Sequence, residues 1–286
     1  MKRTALRDLA RDPRFISGIY NYCDRWCERC PLSSRCLNYA IEKAEDDGDP
    51  ASRDITNDKF WKKLEENFRD TIEMVREDAE KRGIDLDDLK LRADVVAQER
   101  RERRLAARNM PLARAAMAYA KAADKWFKGS EPLFKAKGIE LETLARIETG
   151  NPRGEAKQLK DFVDVIRWYQ HFIYIKLSRA IGSCASEDLE TDDEIKAFPK
   201  DSDGSAKIAL IAIDRSIAAW SALRTTLSAD DADEILDLLG QLAAIRREAE
   251  KLFPSARAFA RPGFDENCRI SVDSKSASGR TRRGEL

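Results

Sequence analysis

Histidine is almost missing from this chain: among 286 residues the only one is His171. A di-iron helical bundle usually needs two Glu-x-x-His pairs, and a zincin protease needs two histidines on one helix. Neither site can be built here. A Ser-His-Asp site would have to use His171, and the sequence has no Gly-x-Ser-x-Gly motif. The common histidine-based metal and hydrolase sites are therefore excluded.

Long apolar segments and an excess of one charge are missing as well. The longest purely apolar run, 208–213, is far shorter than the ~20 residues that cross a bilayer. The N-terminal residues contain no apolar signal region. Lys plus Arg and Asp plus Glu both number 52, which argues against a protein that is basic throughout and coats nucleic acid. We therefore expect a cytoplasmic protein with no membrane segment.

The composition and periodicity predict an all-α fold. Charged residues make up 36% of the chain, against ~25% in an average domain, and aromatic residues make up 8%. No segment alternates between apolar and polar residues for long enough to form a sheet. The sequence predicts a multi-helix bundle with a small N-terminal cysteine-rich helical subdomain.

The predicted domain organisation has five parts. In chain order they are a four-cysteine helical subdomain (1–46), an acidic linker (47–55), long antiparallel helices (56–129), an apolar helical bundle (130–264) and a disordered tail (265–286).

Within these parts, capping residues and periodicity predict individual helices. Asp12-Pro13 predicts a helix that runs to about Cys30. A helix over 56–82 has its apolar residues on one face, and Gly83 ends it. Pro111 interrupts the next helical segment, and Gly138 separates two short helices. The segment 205–226 is apolar nearly all round, which predicts a central buried helix, and 183–204 is predicted to be an acidic loop. The apolar face over 56–82 consists of Phe60, Leu64, Phe68, Ile72, Val75 and Ala79.

The strongest chemical signal is a group of four cysteines near the N-terminus. They are Cys23, Cys27, Cys30 and Cys36, with the spacing Cys-x3-Cys-x2-Cys-x5-Cys. On the predicted helix the first three sulfurs share one face, and the break at Pro31 lets the fourth return to them. Soft thiolates in this arrangement suit zinc or an iron–sulfur cluster. Cys184 and Cys268 are isolated and are interpreted as ordinary thiols.

Two family patterns share part of this spacing. The last three cysteines, with Pro31-Leu32 after the third ligand, resemble the cluster loop of the helix-hairpin-helix DNA glycosylases, which implies a [4Fe–4S] cluster. The first spacing is three residues here and six in that family, so the resemblance concerns the cluster type and not glycosylase activity. The first three cysteines also match the spacing of radical-SAM enzymes, which need a β/α barrel that this sequence does not predict.

Iron–sulfur and zinc both remain open, with the cluster favoured, because structural zinc usually takes two Cys-x2-Cys pairs and only one is present. Three arginines could offset the charge of four thiolates and a metal: Arg25, Arg29 and Arg35. Aromatic residues around the cysteines could shield a cluster from water, or could simply pack there.

A second candidate site lies in the apolar helices. Asp214 stands within a nearly apolar run, and a buried carboxylate must be paired. The helix that carries His171 could line a polar pocket with it, where His171 would act as an acid–base group and Asp214 as its counter-charge. A structural ion-pair network is the alternative interpretation.

Two weaker features suggest nucleic acid as a partner. One is a basic segment formed by Arg100, Arg101, Arg103, Arg104 and Arg108. The other is the segment 133–152, which resembles the second half of a phage-repressor helix-turn-helix, with a Gly-Ile turn at Gly138 before the recognition helix.

The sequence thus predicts a metal-binding helical protein with a redox, electron-transfer, sensing or structural role. The alternatives are a metal-containing DNA-associated regulator and an enzyme with a His171/Asp214 pocket; substrate and protein partner are left open.

Overall fold

The computed structural model describes residues 3–187, 199–227 and 232–265. Within these ranges the regular structure consists of nine α-helices and a few short 3-10 turns, without a strand, which confirms the predicted all-α class. No helix in the same ranges combines the length and apolar character needed to cross a membrane.

The helices are numbered in chain order. They are α1 (Arg3–Ala10), α2 (Leu37–Glu45), α3 (Asp58–Arg82), α4 (Leu86–Asn109), α5 (Pro111–Gly129), α6 (Glu131–Arg146), α7 (Pro152–Glu187), α8 (Asp201–Thr226) and α9 (Ala232–Leu252).

The chain divides into two compact units. The first consists of Met1–Arg100 with Ala260–Leu286, and the second of Arg101–Phe259. The predicted N-terminal subdomain over 1–46 is not confirmed as a unit of its own. The remaining predicted boundaries stay predictions, and the predicted disordered tail lies outside the described residues beyond Asp265.

The second unit is built around α8, as the apolar run predicted. This helix packs most extensively against α7, and α5 and α9 complete the bundle. Ala206, Ala209 and Ala212 are fully buried, and such small side chains allow a close approach of neighbouring helices. The indole N–H of Trp220 donates to the hydroxyl of Tyr119 at 2.9 Å, so both large side chains are buried with their polar atoms satisfied.

The first unit has a much smaller core. Of its residues whose burial the structure describes, the buried apolar side chains are Ile19 and Ala79. Helix α3 ends at Gly83 in the left-handed conformation, as predicted. Half of its predicted apolar face is nevertheless exposed to solvent rather than packed inside the unit: Phe68 is 60% exposed, Ile72 51% and Val75 53%.

Three predicted elements are wrong in their local structure. Residues 12–30 form turns instead of one helix, and Gly138 lies in the middle of α6 instead of between two helices. The predicted loop over 183–204 is partly helical, because α7 continues to Glu187 and α8 begins at Asp201. The break at Pro111, where α5 begins, is confirmed.

The position of Gly138 can be tested by substitution. A Cβ added there has no neighbour within 4 Å, and alanine loses less conformational entropy in a helix than glycine does. We expect Gly138→Ala to raise the free energy of unfolding by ~0.5–1 kcal/mol, measured by urea unfolding with circular dichroism.

Gly150→Ala is the matched control. This glycine is equally uncrowded but has a φ of +73°, so alanine should destabilise the protein by ~1 kcal/mol. A destabilising Gly138→Ala would contradict the continuous helix.

Candidate metal centre

The cysteine segment is folded by turns because its polar side chains compete for backbone N–H groups. The Asp12 carboxylate accepts from the backbone N–H of Arg14 at 2.9 Å, and Asp24 accepts from that of Trp26 at 3.2 Å. Arg25 has a φ of +59°, a left-handed conformation that an α-helix does not contain. Local bonds of this kind offer the backbone an alternative to the helix.

Two consecutive 3-10 turns place the last three cysteines. The first covers Cys27–Arg29, and the backbone N–H of Cys30 donates to the carbonyl of Cys27 at 3.2 Å. The second covers Ser33–Arg35 and ends at Cys36, directly before α2. The prediction that three sulfurs share one face of a helix is therefore wrong, and the turns determine where the thiols lie.

The first cysteine lies outside these turns. The thiol of Cys23 is 3.6 Å from the carbonyl oxygen of Tyr20, to which it donates. All four cysteines are free thiols of intermediate burial, so none of the four is locked in the interior.

The turns are anchored to the neighbouring backbone. The N–H of Ile16 donates to the carbonyl of Arg35 at 3.1 Å, which ties the segment before the cysteines to the second turn. Gly263 packs against the side chains of Ile16 and Ile19, and its φ of +75° requires glycine. The described end of the chain thus supports the segment that carries the thiols.

The four thiols are electrostatic neighbours. Burial raises the pKa of the Cys27 thiol above its ordinary value, and the carboxylate of Glu42 raises this pKa further. The other three candidate ligands raise the pKa of Cys27 in the same direction: Cys23, Cys36 and Cys30. The protonated form of Cys27 is therefore favoured, chiefly because burial disfavours its thiolate.

This clustering falls short of a formed metal site. In the described ranges, no group of three or more His, Cys, Asp or Glu side chains is arranged so that it could hold a metal ion. The thiols are close enough to act on Cys27, yet they do not converge on one point.

The three arginines predicted to offset thiolate charge are all exposed. The guanidinium of Arg29 lies over the ring of Trp26, 3.8 Å from its centroid, which covers one face of this aromatic side chain. Arg35 makes a long 3.5 Å bond from its Nε to the carbonyl of Arg14. Of the two isolated cysteines, Cys184 lies in α7 and Cys268 lies outside the described residues.

His171 and Asp214 have different partners. The Nε2 atom of His171 is 3.2 Å from the carboxylate of Asp124 on α5, and the side chain is about half exposed. Asp214 pairs with Arg257 at 2.6 Å and with Arg246 at 3.4 Å. The structure thus places the two residues in separate ion-pair groups.

The features predicted to contact nucleic acid belong to two different helices, α4 and α6. The five arginines are spread over the last turns of α4; four are exposed, and Arg103 donates to Ser186 at 3.3 Å. The helix-turn-helix prediction is contradicted, because α6 runs without interruption through the position of the predicted turn at Gly138.

Sequence reasoning did not find an apolar cleft in the second unit. It has a volume of about 690 Å³ and lies between α5 and α9, with Leu112, Ala118 and Ile245 among its lining residues. Neither His171 nor Asp214 lines this cleft. The small and apolar residues of both helices can be read from the sequence, but the sequence does not show that α5 and α9 pack side by side.

No protein-family model, curated protein or solved structure matches this chain.

The Asp214 ion pairs allow a test of the enzyme interpretation. Since the paired side chains are about two-fifths exposed, we expect Asp214→Asn to lower the free energy of unfolding by no more than ~1 kcal/mol. His171→Asn should change it by less than ~0.5 kcal/mol. Urea unfolding measures both variants, and non-additive effects in the double variant would contradict the separation of the two groups.

Proposed function

We propose that the four clustered cysteines bind a metal centre as thiolates, a [4Fe–4S] cluster ahead of a zinc ion. The ligands are Cys23, Cys27, Cys30 and Cys36. The observation that carries this proposal is the spacing of four cysteines within fourteen residues, Cys-x3-Cys-x2-Cys-x5-Cys, on a segment folded by two consecutive 3-10 turns. Through this centre the protein would act in electron transfer or redox sensing, and the centre would also stabilise the unit that contains it.

The electrostatics of Cys27 support a cation. Thiolates close together repel one another, and each must lose its proton before it can bind a metal. A metal ion among them turns this repulsion into attraction, since it is the largest charge in the site. Binding requires the thiols to turn toward a common centre. The last three are held by the two 3-10 turns, and all four thiols are partly accessible to solvent.

The small core of the first unit supports a stabilising role. Its buried apolar side chains, among those described, are Ile19 and Ala79. Domains that cannot bury enough apolar surface usually depend on metals, disulfides or association for stability. The free energy of metal binding then contributes directly to folding.

The spacing favours the cluster over zinc. Only one Cys-x2-Cys pair is present, Cys27 with Cys30, whereas structural zinc commonly takes two. Half-buried tyrosine and tryptophan side chains near the thiols, Tyr20, Tyr22, Trp26 and Tyr39, would limit the access of water, which affects the potential of a cluster.

Anaerobic purification tests the metal directly. We expect four iron and four sulfide per chain and a broad visible absorption that bleaches with dithionite. Cys27→Ser should lose this metal. Cys184→Ser is the matched control, since it removes a thiol of the same burial class outside the cluster and should retain the metal.

The zinc alternative predicts colourless protein with one zinc ion, which Cys27→Ser would lose in the same way. Metal-free wild-type protein after anaerobic purification and reconstitution, or equal metal content in both serine variants, would contradict the proposal.

Removal of the metal should affect the two units differently. We expect a chelator to lower the hydrogen-exchange protection of α2 in the first unit, because metal binding and folding are coupled there. Protection of α8 in the second unit, which has its own apolar core, should stay unchanged. Equal loss of protection in both helices would contradict a local stabilising role.

A further inference from the structure

Helix α3 exposes its apolar face and turns its polar face toward the rest of its unit. Trp61 is 52% exposed, and Phe68, Ile72 and Val75 are each more than half exposed. A helix that packs on a core normally has the opposite arrangement, with its apolar stripe inward. The stripe, hereafter the α3 stripe, consists of Trp61, Leu64, Phe68, Ile72 and Val75.

The opposite side of α3 makes the contacts with the rest of the unit. Lys59 pairs with Asp49 at 2.6 Å, and Glu77 pairs with Arg7 at 2.7 Å. At about 100° per residue, Lys59 and Glu77 lie roughly 180° from the centre of the α3 stripe. The helix is thus held by its charged side. The apolar side chains from Trp61 to Val75 are mostly exposed, whereas Ala79 on the same face is buried near the C-terminal end of the helix.

The spacing of residues in the α3 stripe is the same whether it is read from the N-terminus or from the C-terminus. Successive members are three, four, four and three positions apart, with Phe68 in the middle. In an antiparallel pair of two such helices, Phe68 meets its own copy on the two-fold axis. Leu64 then lies opposite Ile72 of the second copy, and Trp61 opposite Val75. Such self-complementarity is what a symmetric dimer requires, since both copies present the same patch.

The charges along one edge of the stripe complement each other in the same arrangement. Asp58, Glu65, Arg69 and Arg76 are all exposed and lie on the same side of the stripe. A two-fold axis through Phe68 brings this edge of one helix against the same edge of the other. Asp58 then lies within two positions of Arg76 of the second copy, so opposite charges meet at each end. Glu65 and Arg69, which pair within one helix at 2.9 Å, face the same pair of the second copy near the axis.

We propose that the α3 stripe is a dimerisation surface, where α3 of a second copy of this chain pairs antiparallel around Phe68. The contact between Trp61 and Val75 extends over ~21 Å of helix, so the interface is small. Interfaces of this kind are of limited affinity, and the dimer should therefore form in a concentration-dependent way.

Sedimentation equilibrium of the full chain over a concentration series tests the association. Wild-type protein should show a dimer fraction that rises with concentration. Phe68→Glu places two like charges against each other on the axis and should raise the dimer dissociation constant at least ~tenfold.

Val95→Glu is the matched control, because Val95 on α4 is exposed to the same 60% and lies outside the stripe. It should dimerise like wild type, while circular dichroism shows that both variants keep their helical content. A wild-type protein that stays monomeric throughout the series, or equal effects of both variants, would overturn the proposal and leave the stripe to a different partner.

Charge reversal tests the antiparallel register. Arg76→Asp alone should weaken the dimer, and the double variant Asp58→Arg with Arg76→Asp should restore it, because the opposite charges are exchanged but still meet. Failure of the double variant to recover association would exclude this pairing. All variants are compared at the same metal content, so these tests succeed or fail separately from the proposed metal centre.

Discussion

Hydrogen bonds that aspartate carboxylates accept from backbone N–H groups are the interaction on which the N-terminal structure depends. Asp12 and Asp24 each accept from an N–H group two residues further along the chain. These bonds, together with the left-handed Arg25, prevent a helix through the first cysteines. Without them the three thiols would be separated along a helix face, and Cys36 would have to return across a sharp break. The turns place Cys27, Cys30 and Cys36 on a short, irregular segment instead, with Cys23 just before it.

The same segment contributes little apolar packing, and this explains the contrast between the two units. The second unit buries Trp220, Tyr119 and a series of aliphatic side chains around α8, and such a core is sufficient for stability. Among the described residues of the first unit, the buried apolar side chains are Ile19 and Ala79. A small core alone rarely offsets the entropy of folding, so polar contacts contribute more here, and the proposed metal centre would add to them.

The sequence predicted those parts of the fold that depend on local chemistry or on complete burial. Gly83 and Pro111 mark helix ends because of their backbone preferences, and the apolar segment 205–226 had to be internal. Residues 12–30 were misjudged because Asp-Pro can begin either a helix or a turn. Gly138 was misjudged because tertiary packing can override the low helix propensity of glycine.

The candidate site was predictable in its residues but not in its geometry. Spacing identified the four cysteines, but the turns that place them depend on side-chain bonds from Asp12 and Asp24 that a periodicity argument ignores. His171 and Asp214 are a second example: each stands in an apolar stretch of sequence, yet their side chains are 49% and 39% exposed in the structure. Their partners, Asp124 and Arg257, come from distant parts of the chain, which one sequence does not reveal.

The α3 stripe shows why periodicity alone cannot tell what an apolar face contacts. An amphipathic pattern fixes the direction of the face relative to the helix, and this direction is the same whether the partner belongs to the same chain or to another. On α3 the charged side shows which face contacts the rest of the unit, because Lys59 and Glu77 form ion pairs within it. The apolar side is then left for a second molecule. Because a metal at the cysteines and a second copy at α3 would stabilise the same weakly packed unit, occupancy of one would lower the cost of ordering that unit for the other.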